Sequence, residues 1–180
     1  MILDTQRLRL RPMTGEDAAF ILELVTDPSW LRYIGDKGVR DVEGARRYIE
    51  GGPIEMYRRF GFGLLVVELR APEAGSAHLP PRGRGPSPSV GICGLIKRDT
   101  LPDVDIGFAF LPRYRAQGLA IEAARAVLAH GRETLALARI VAIVSPDNVA
   151  STRLLEKLGL RFERMVDKTD ADPVALYATG

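Results

Sequence analysis

Hydrophobic and polar positions alternate near the start of the chain. Arg and Leu alternate over residues 7–11, which predicts a half-buried first strand. Further along, apolar residues recur at helical spacing: Phe20, Ile21, Leu24 and Val25. A helix is therefore predicted with Thr14 as its N-cap and with its end before Pro28.

The rest of the chain mixes strand and helix patterns. A second helical stretch covers residues 41–59, interrupted by Gly51-Gly52-Pro53. Further helices are predicted over residues 116–135 and from Asn148 to a left-handed cap at Gly159. Strands are predicted over residues 62–69, 90–96, 104–111, 140–144 and 174–178. This order predicts an α/β fold with a mixed, mostly antiparallel sheet.

Composition narrows the class of protein. The length of 180 residues fits a single domain over residues 1–180. The net charge of +2, from 25 basic and 23 acidic residues, argues against a nucleic-acid partner. No apolar run approaches the ~20 residues of a membrane span, and the N-terminus lacks the apolar core of a signal peptide. No membrane partner and a cytoplasmic location are expected.

Two further features of composition bear on chemistry. The lone Cys93 excludes an intrachain disulfide, and with only two His residues no metal site is expected. Residues 70–89 hold five of the twelve prolines and have no apolar period. They predict a long exposed or disordered loop, for which a tolerated insertion is favoured over a recognition arm.

Residues 105–120 carry the most informative motif. A strand ends, a short basic turn follows, and small residues stand at 116, 118 and 120 where a helix begins. The first amides of a helix have no intrahelical partner and attract anions, so a pyrophosphate is a candidate ligand. Close packing of the helix on the sheet is the alternative explanation. Neither a P-loop nor a dinucleotide-binding glycine pattern is present.

The stretch Arg115-x-x-Gly118-x-Ala120 resembles the acyl-CoA motif of the GNAT N-acetyltransferase superfamily. The residues around the motif, the segment from Asn148 to Gly159 and the opening segment Thr5–Pro12 are similar to the branch of ribosomal-protein N-terminal acetyltransferases. That branch often has Gly where Ala116 stands. The resemblance covers nearly the whole chain apart from residues 70–89.

The resemblance implies a seven-stranded sheet splayed between strands 4 and 5, with helices on both faces. It implies acetyl-CoA as co-substrate and no metal. The pantetheine arm would meet the backbone of Phe108, Ala109 and Phe110. The remaining cofactor contacts implied are Arg113, Arg115, Ala116, Gln117, Gly118, Leu119, Ala120 and Asn148.

Acyl transfer to an amine needs a free amine and a proton for the departing thiolate. By resemblance, Asp105 is the candidate base, although an Asp that pairs at a strand end is the structural alternative. Ser151 is the candidate proton donor to the thiolate, or else a core serine bonded to its own helix. Asn148 can cap its helix and contact the cofactor at once. Trp30 and Tyr33 are candidates for the acceptor wall, or ordinary packing.

The expected activity is acetyl transfer to a primary amine by direct attack in a ternary complex. The branch resemblance favours a protein or peptide N-terminus as acceptor. A small amine such as a polyamine, amino acid or antibiotic is an alternative acceptor, and a non-catalytic acyl-CoA-binding module is an alternative of another class. Either a monomer or a homodimer is compatible with the sequence.

Overall fold

A mixed sheet of eight strands forms the centre of the fold. The computed structural model of the protein describes residues 1–70, 87–168 and 171–180, so most of the predicted loop over residues 70–89 lies outside the described residues. In chain order the strands are β1 (Leu3–Asp4), β2 (Leu8–Pro12), β3 (Leu64–Leu69), β4 (Ser89–Lys97), β5 (Val104–Phe110), β6 (Ile140–Val144), β7 (Arg161–Lys168) and β8 (Ala171–Ala178). Across the sheet they lie in the order β1-β2-β3-β4-β5-β6-β8-β7.

Helices cover both faces of this sheet. They are α1 (Ala18–Val25), α2 (Pro28–Tyr33), α3 (Val42–Ile49), α4 (Glu55–Phe60), α5 (Leu119–Glu133) and α6 (Val149–Lys157). Buried residues of α5 and α6 pack on one face, and those of α1, α2 and α3 pack on the other. Within β5 the period of two divides the strand between the two cores: Ile106 belongs to the first and Ala109 packs against the second.

The mixed, mostly antiparallel α/β sheet is confirmed, and the strand count is eight instead of seven. The two-residue β1 adds one strand at the edge of the sheet. The apolar pattern also gave no sign of β7. The apolar side chains of Phe162 and Met165 in β7 are 55% and 46% exposed, and register shifts interrupt its pairing with β8. A strand with bulges and outward apolar residues lacks the simple alternation by which strands are recognised.

Three details of the helices differ from the predictions. Pro28 does end α1, but it also begins α2, where Asp27 is the N-cap and proline occupies the first turn. The helical path through residues 42–60 is continuous, because Glu50–Ile54 forms a π-helix that accommodates Pro53. The long helix begins at Leu119, three residues later than predicted.

The sheet opens between β5 and β6. These two strands are its only parallel neighbours in the described residues, and they pair only at Val104 with Ile140 and Asp105 with Val141. Beyond those positions the strands separate towards their carboxyl ends. The splay that the resemblance implied between strands 4 and 5 is this opening, once β1 is left out of the count.

Candidate active site

A turn with two left-handed residues connects β5 to α5. After a short 3-10 helix over Pro112–Tyr114, Ala116 has φ 58° and Gly118 has φ 76°. Gly118 is the N-cap of α5. Glycine adopts the left-handed region at no steric cost, whereas alanine pays about 1–2 kcal/mol. A preference for Gly at position 116, as in the branch that the sequence resembles, therefore has a conformational explanation.

The peptide N–H groups of this turn are available to a ligand. Within the described parts of the chain, the amides of Gln117 and Gly118 make no hydrogen bond. The next amides, of Leu119 and Ala120, belong to the first helical turn and have no intrahelical partner. Successive amides near a left-handed residue and at a helix N-terminus make an anion-binding concavity. The turn is therefore chemically suited to a pyrophosphate.

The two predicted arginines of the turn are engaged by α1 and by the residues that begin α2. The guanidinium of Arg113 pairs with Glu23 and lies 5.1 Å from the ring centroid of Tyr114. Arg115 donates to the carbonyl of Phe110 at 2.8 Å, to Ser29 Oγ at 2.6 Å and to Asp27 Oδ1 at 2.9 Å. Their charge lies near the turn, and their hydrogen bonds join the turn to the opposite face of the sheet. Direct contact with a phosphate stays a prediction.

The edge of β5 that faces the opening is unpaired beyond Asp105. Leu111 donates its N–H to Val90 of β4, and peptide groups in a strand alternate between its two edges. The N–H and C=O groups of Phe108 and Phe110 therefore point towards the opening, where the Phe110 carbonyl already accepts from Arg115. This edge can hydrogen-bond an extended ligand as it would a further strand.

Asp105 lies where β5 and β6 separate. The residue is 1% exposed, and its Oδ2 accepts from Arg98 Nε at 2.5 Å. In the described structure Oδ1 has no hydrogen-bond partner. Burial raises the pKa of Asp105 to about 6, against the opposing effects of Arg98 and of the Ile143 amide. Such a carboxyl can accept a proton near neutral pH.

Helix α6 starts on the other side of the opening. The side chain of Asn148 accepts a hydrogen bond from the Ser151 amide at 3.2 Å, so the predicted N-cap is confirmed. Ser151 is half-buried in the first turn, on the same side of the helix as Leu154 and Leu158, which pack against the core. The cofactor contact of Asn148 and the proton-donor role of Ser151 stay predictions.

Helix α2 bridges the opening between β5 and β6. At its start, Asp27 accepts from the Ser29 amide at 3.0 Å and from Arg115 at 2.9 Å. Near its end, Arg32 donates to Asp147 Oδ2 at 2.8 Å. Arg115 follows β5 along the chain and Asp147 follows β6. The helix is thus tied to the carboxyl ends of both strands that separate.

The two aromatic residues predicted for the acceptor wall lie on α2. Trp30 is 5% exposed and packs in the core with α1 and α3, and its indole N–H has no partner among the described residues. Tyr33 is half-buried, with the guanidinium of Arg32 5.0 Å from its ring centroid. Their contact with an acceptor stays a prediction.

Sequence reasoning missed three side chains that organise these elements. Asp27 had a local signal, because Asp-Pro-Ser places a cap residue before a proline. Arg98 and Arg7 had none, because the partner of Arg98 is seven residues away and Arg7 contacts Glu122 on α5, 115 residues away. Only the folded chain brings these charges together.

Other candidate groups do not add to the site. The described residues contain no cluster of His, Cys, Asp and Glu that could hold a metal ion. Cys93 is free and buried in β4, and burial raises the pKa of its thiol, which makes it a poor nucleophile. His130 lies on α5, and His78 is outside the described residues. A search of the described residues found no helix that could span a membrane.

A family model described as an acetyltransferase (GNAT) domain matches residues 7–161. That span contains the turn before α5, the opening between β5 and β6, and the start of α6. The N-acetyltransferase YoaA of Bacillus subtilis, whose function is uncharacterised, is 30% identical over 162 residues, which cover 90% of this chain and 84% of YoaA.

Solved structures share the fold over the full length. An acetyltransferase of the GNAT family from Bacillus anthracis is 26% identical with a TM-score of 0.73, covering 99% of this chain and 96% of that one. RimL, a ribosomal L7/L12 alpha-N-protein acetyltransferase solved with coenzyme A, has a TM-score of 0.78 at 16% identity, with 99% and 97% covered. The similarity to RimL concerns the fold.

Proposed function

Because this chain belongs to the GNAT acetyltransferase family, we propose that it transfers the acetyl group of acetyl-CoA to a primary amine by direct attack in a ternary complex. The observation that carries the proposal is the turn before α5, whose two left-handed residues leave successive amides without partners next to an unpaired strand edge. The free amides of the turn suit the pyrophosphate of coenzyme A, and the strand edge suits the amide groups of its pantetheine arm.

Different residues around the opening would bind different parts of acetyl-CoA. The amides of Gln117, Gly118, Leu119 and Ala120 would hold the pyrophosphate, and the edge of β5 at Phe108 and Phe110 would hold the amides of the pantetheine arm. Asn148, at the start of α6, would close the site from the side of β6. When bound, acetyl-CoA supplies an activated thioester.

Asp105 would act as the general base. During transfer the amine nitrogen bonds to the acetyl carbon, the carbon–sulfur bond breaks, one proton leaves the nitrogen and one reaches the sulfur. With a pKa of about 6, Asp105 is ionised at pH 7, and its carboxylate would take the first proton. Ser151 would offer its hydroxyl proton to the sulfur.

A protein or peptide N-terminus is the proposed acceptor. Releasing the proton of an α-amino group at pH 7 costs about 1 kcal/mol, whereas a lysine or polyamine amine costs about 4–5 kcal/mol. A carboxylate with a pKa of about 6 is a weak base and suits the easier deprotonation. RimL, whose fold is similar, is an acetyltransferase of a protein α-amino group.

Calorimetric titration with acetyl-CoA tests the cofactor site. Wild type should bind with a micromolar Kd, and Gly118→Glu should weaken binding by about tenfold or more, because it adds a negative charge beside the proposed pyrophosphate position and its Cβ would crowd Arg7, 3.3 Å away. Gly61→Glu is the matched control, since Gly61 has nearly the same φ of 75° at the end of α4 and open space around it. Absence of binding to folded wild type would overturn the proposal.

An acceptor panel tests the second substrate. Release of coenzyme A would be followed with peptides that have a free N-terminus and no lysine, with N-terminally blocked peptides that contain lysine, and with spermidine. Only the first group should be acetylated. Turnover confined to lysine or spermidine would replace the proposed acceptor, and binding of acetyl-CoA without turnover of any amine would indicate a non-catalytic module.

A further inference from the structure

Arg7 joins the start of the chain to the turn before α5. Its Nη1 donates to the carbonyl oxygen of Gln117 at 2.9 Å, and its Nε donates to Glu122 Oε2 at 2.7 Å. The backbone N–H of Arg7 and the hydroxyl of Thr5 both donate to Glu122 Oε1, at 2.8 and 2.6 Å. One network therefore holds both the turn and the first turn of the helix.

The contact with Gln117 fixes the direction of an amide. The described peptide bonds are all trans, and in a trans peptide the C=O of one residue and the N–H of the next point in opposite directions. Because the Gln117 carbonyl points towards Arg7, the N–H of Gly118 points away from it. A Cβ atom at Gly118 would also lie 3.3 Å from Arg7 Nη2, so the guanidinium packs closely on this peptide.

The contact of Arg7 with Glu122 offsets the negative charge of the Glu122 carboxylate. Glu122 lies in the first turn of α5, next to the proposed pyrophosphate position. Although burial opposes it, hydrogen bonds from Thr5 and Arg7 hold the pKa of Glu122 below its usual value. The carboxylate therefore stays ionised, and Arg7 offsets a negative charge that would otherwise repel an anion at the turn.

We propose that Arg7 is a positioning residue for the pyrophosphate of acetyl-CoA: through Gln117 and Glu122 it orients the Gly118 amide and neutralises the carboxylate beside it. The inference rests on the proposed function, in which this turn binds the pyrophosphate. It assigns to the segment before β2 a part in cofactor binding, although three strands separate β2 from β6 in the sheet.

Coenzyme A is the probe for this proposal. Calorimetry should show that Arg7→Met binds coenzyme A about tenfold to a hundredfold more weakly than wild type, as expected for loss of a charged hydrogen-bonding group. Adding Glu122→Gln to Arg7→Met should restore part of the affinity, because the unbalanced carboxylate is then removed. The control is Arg9→Met, which removes the same charge two residues further along the chain, where Arg9 in β2 forms an exposed pair with Asp4 in β1.

Amide NMR separates positioning from a general loss of structure. In wild type, coenzyme A should shift the resonances of both Gly118 and Phe108. At saturating coenzyme A, Arg7→Met should keep the shift at Phe108 and lose most of that at Gly118. Unchanged affinity in Arg7→Met, or equal loss of both shifts, would overturn the inference.

Two further outcomes are informative. If Arg7→Met does not fold, Arg7→Lys serves instead, because lysine can reach Gln117 or Glu122 but lacks the fork that contacts both. Its affinity should fall between those of wild type and the Gly118→Glu variant, and wild-type affinity would overturn the inference. Failure of wild type itself to bind coenzyme A would overturn the proposed function instead.

Discussion

At the scale of single residues, Asp105 combines burial with an incomplete set of hydrogen bonds. The ion pair with Arg98 satisfies one oxygen, and the other has no partner in the described structure. A buried carboxylate of this kind costs free energy of folding, and such costs are concentrated at functional sites. Asp105 is therefore expected to oppose stability while it supports transfer.

Asp105→Asn should stabilise the protein at high pH and slow the reaction. The folded pKa of about 6 lies above the reference value of 3.8, so the folded state binds the proton more tightly and the free energy of unfolding falls as pH rises through that window. The stability gained by the variant over wild type should be about 2 kcal/mol larger at pH 8 than at pH 4.5. Denaturant titrations at both pH values measure it.

The control for this prediction is Asp103→Asn, since Asp103 is only two residues away but more exposed and paired with Arg139. It should show no comparable pH-dependent gain. The rate of transfer by Asp105→Asn should fall by about a hundredfold or more if the carboxylate is the general base. If Asp105→Asn gained the same free energy of unfolding at both pH values, the assigned pKa of Asp105 would be contradicted.

Arg98 influences the protonation of Asp105 through their ion pair. It lowers the pKa of that carboxyl against the effect of burial, so Arg98→Gln should raise the pKa above about 6, and the pH at which the rate rises should increase with it. Carbon NMR of the Asp105 carboxyl measures the pKa directly. Arg98→Lys keeps a positive charge and should bring the pKa of Asp105 part of the way back to its wild-type value. A wild-type pKa of Asp105 in Arg98→Gln would show that Arg98 does not lower it.

At the scale of elements, α2 is held by two contacts of unequal strength. At its N-terminus, Asp27 is a helix cap and also accepts from Arg115. Near its C-terminus, Arg32 and Asp147 form a pair with side chains 65% and 52% exposed. Exposed ion pairs contribute little, so the N-terminal end should be the better anchored one.

Asp27→Ala should lower the free energy of unfolding by about 1–2 kcal/mol, because it removes the cap and a partner of Arg115. Asp27→Asn keeps a capping oxygen and should cost less. Asp147→Ala should cost under about 0.5 kcal/mol. Denaturant titration of the three variants at pH 7 compares them, and a larger effect at Asp147 than at Asp27 would contradict this ranking.

The elements that sequence could predict are those with a regular pattern. The alternation in β2 and the helical face of α5 were sufficient to predict them, and the fold of the family was inferred from short motifs in order. The strand β7 was missed because its apolar residues Phe162 and Met165 are exposed, and α2 because it has only six residues. Likewise Asp105 was selected by resemblance, but its pairing with Arg98 depends on the turn that joins β4 to β5.

At the scale of the whole molecule, the opening divides the sheet into two parts. Strands β1 to β5 form one part, and β6, β8 and β7 form the other; among the described residues, two paired positions between β5 and β6 join them directly. The proposed cofactor site has contributions from both parts. A ligand in that site should therefore make the two parts open less often.

Saturating coenzyme A should protect both sides of the opening from hydrogen exchange. Ligand at 100 times its Kd adds about 2.7 kcal/mol to the free energy of unfolding. Exchange should slow at Phe108 in β5 and at Ile143 in β6, but not at Val166 in the edge strand β7, where exchange through local opening is expected. Protection on the β5 side alone would contradict binding across the opening.

The left-handed turn before α5 also determines how amino-acid substitutions affect the proposed cofactor site. Its proposed ligand contacts are main-chain N–H groups, and Ala116 and Ala120 already carry the smallest side chain after glycine. An alanine scan would leave these peptide groups in place, because it truncates side chains and does not remove main-chain N–H groups. A substitution in this turn therefore acts on the proposed ligand contacts mainly by changing the backbone angles at Ala116 and Gly118.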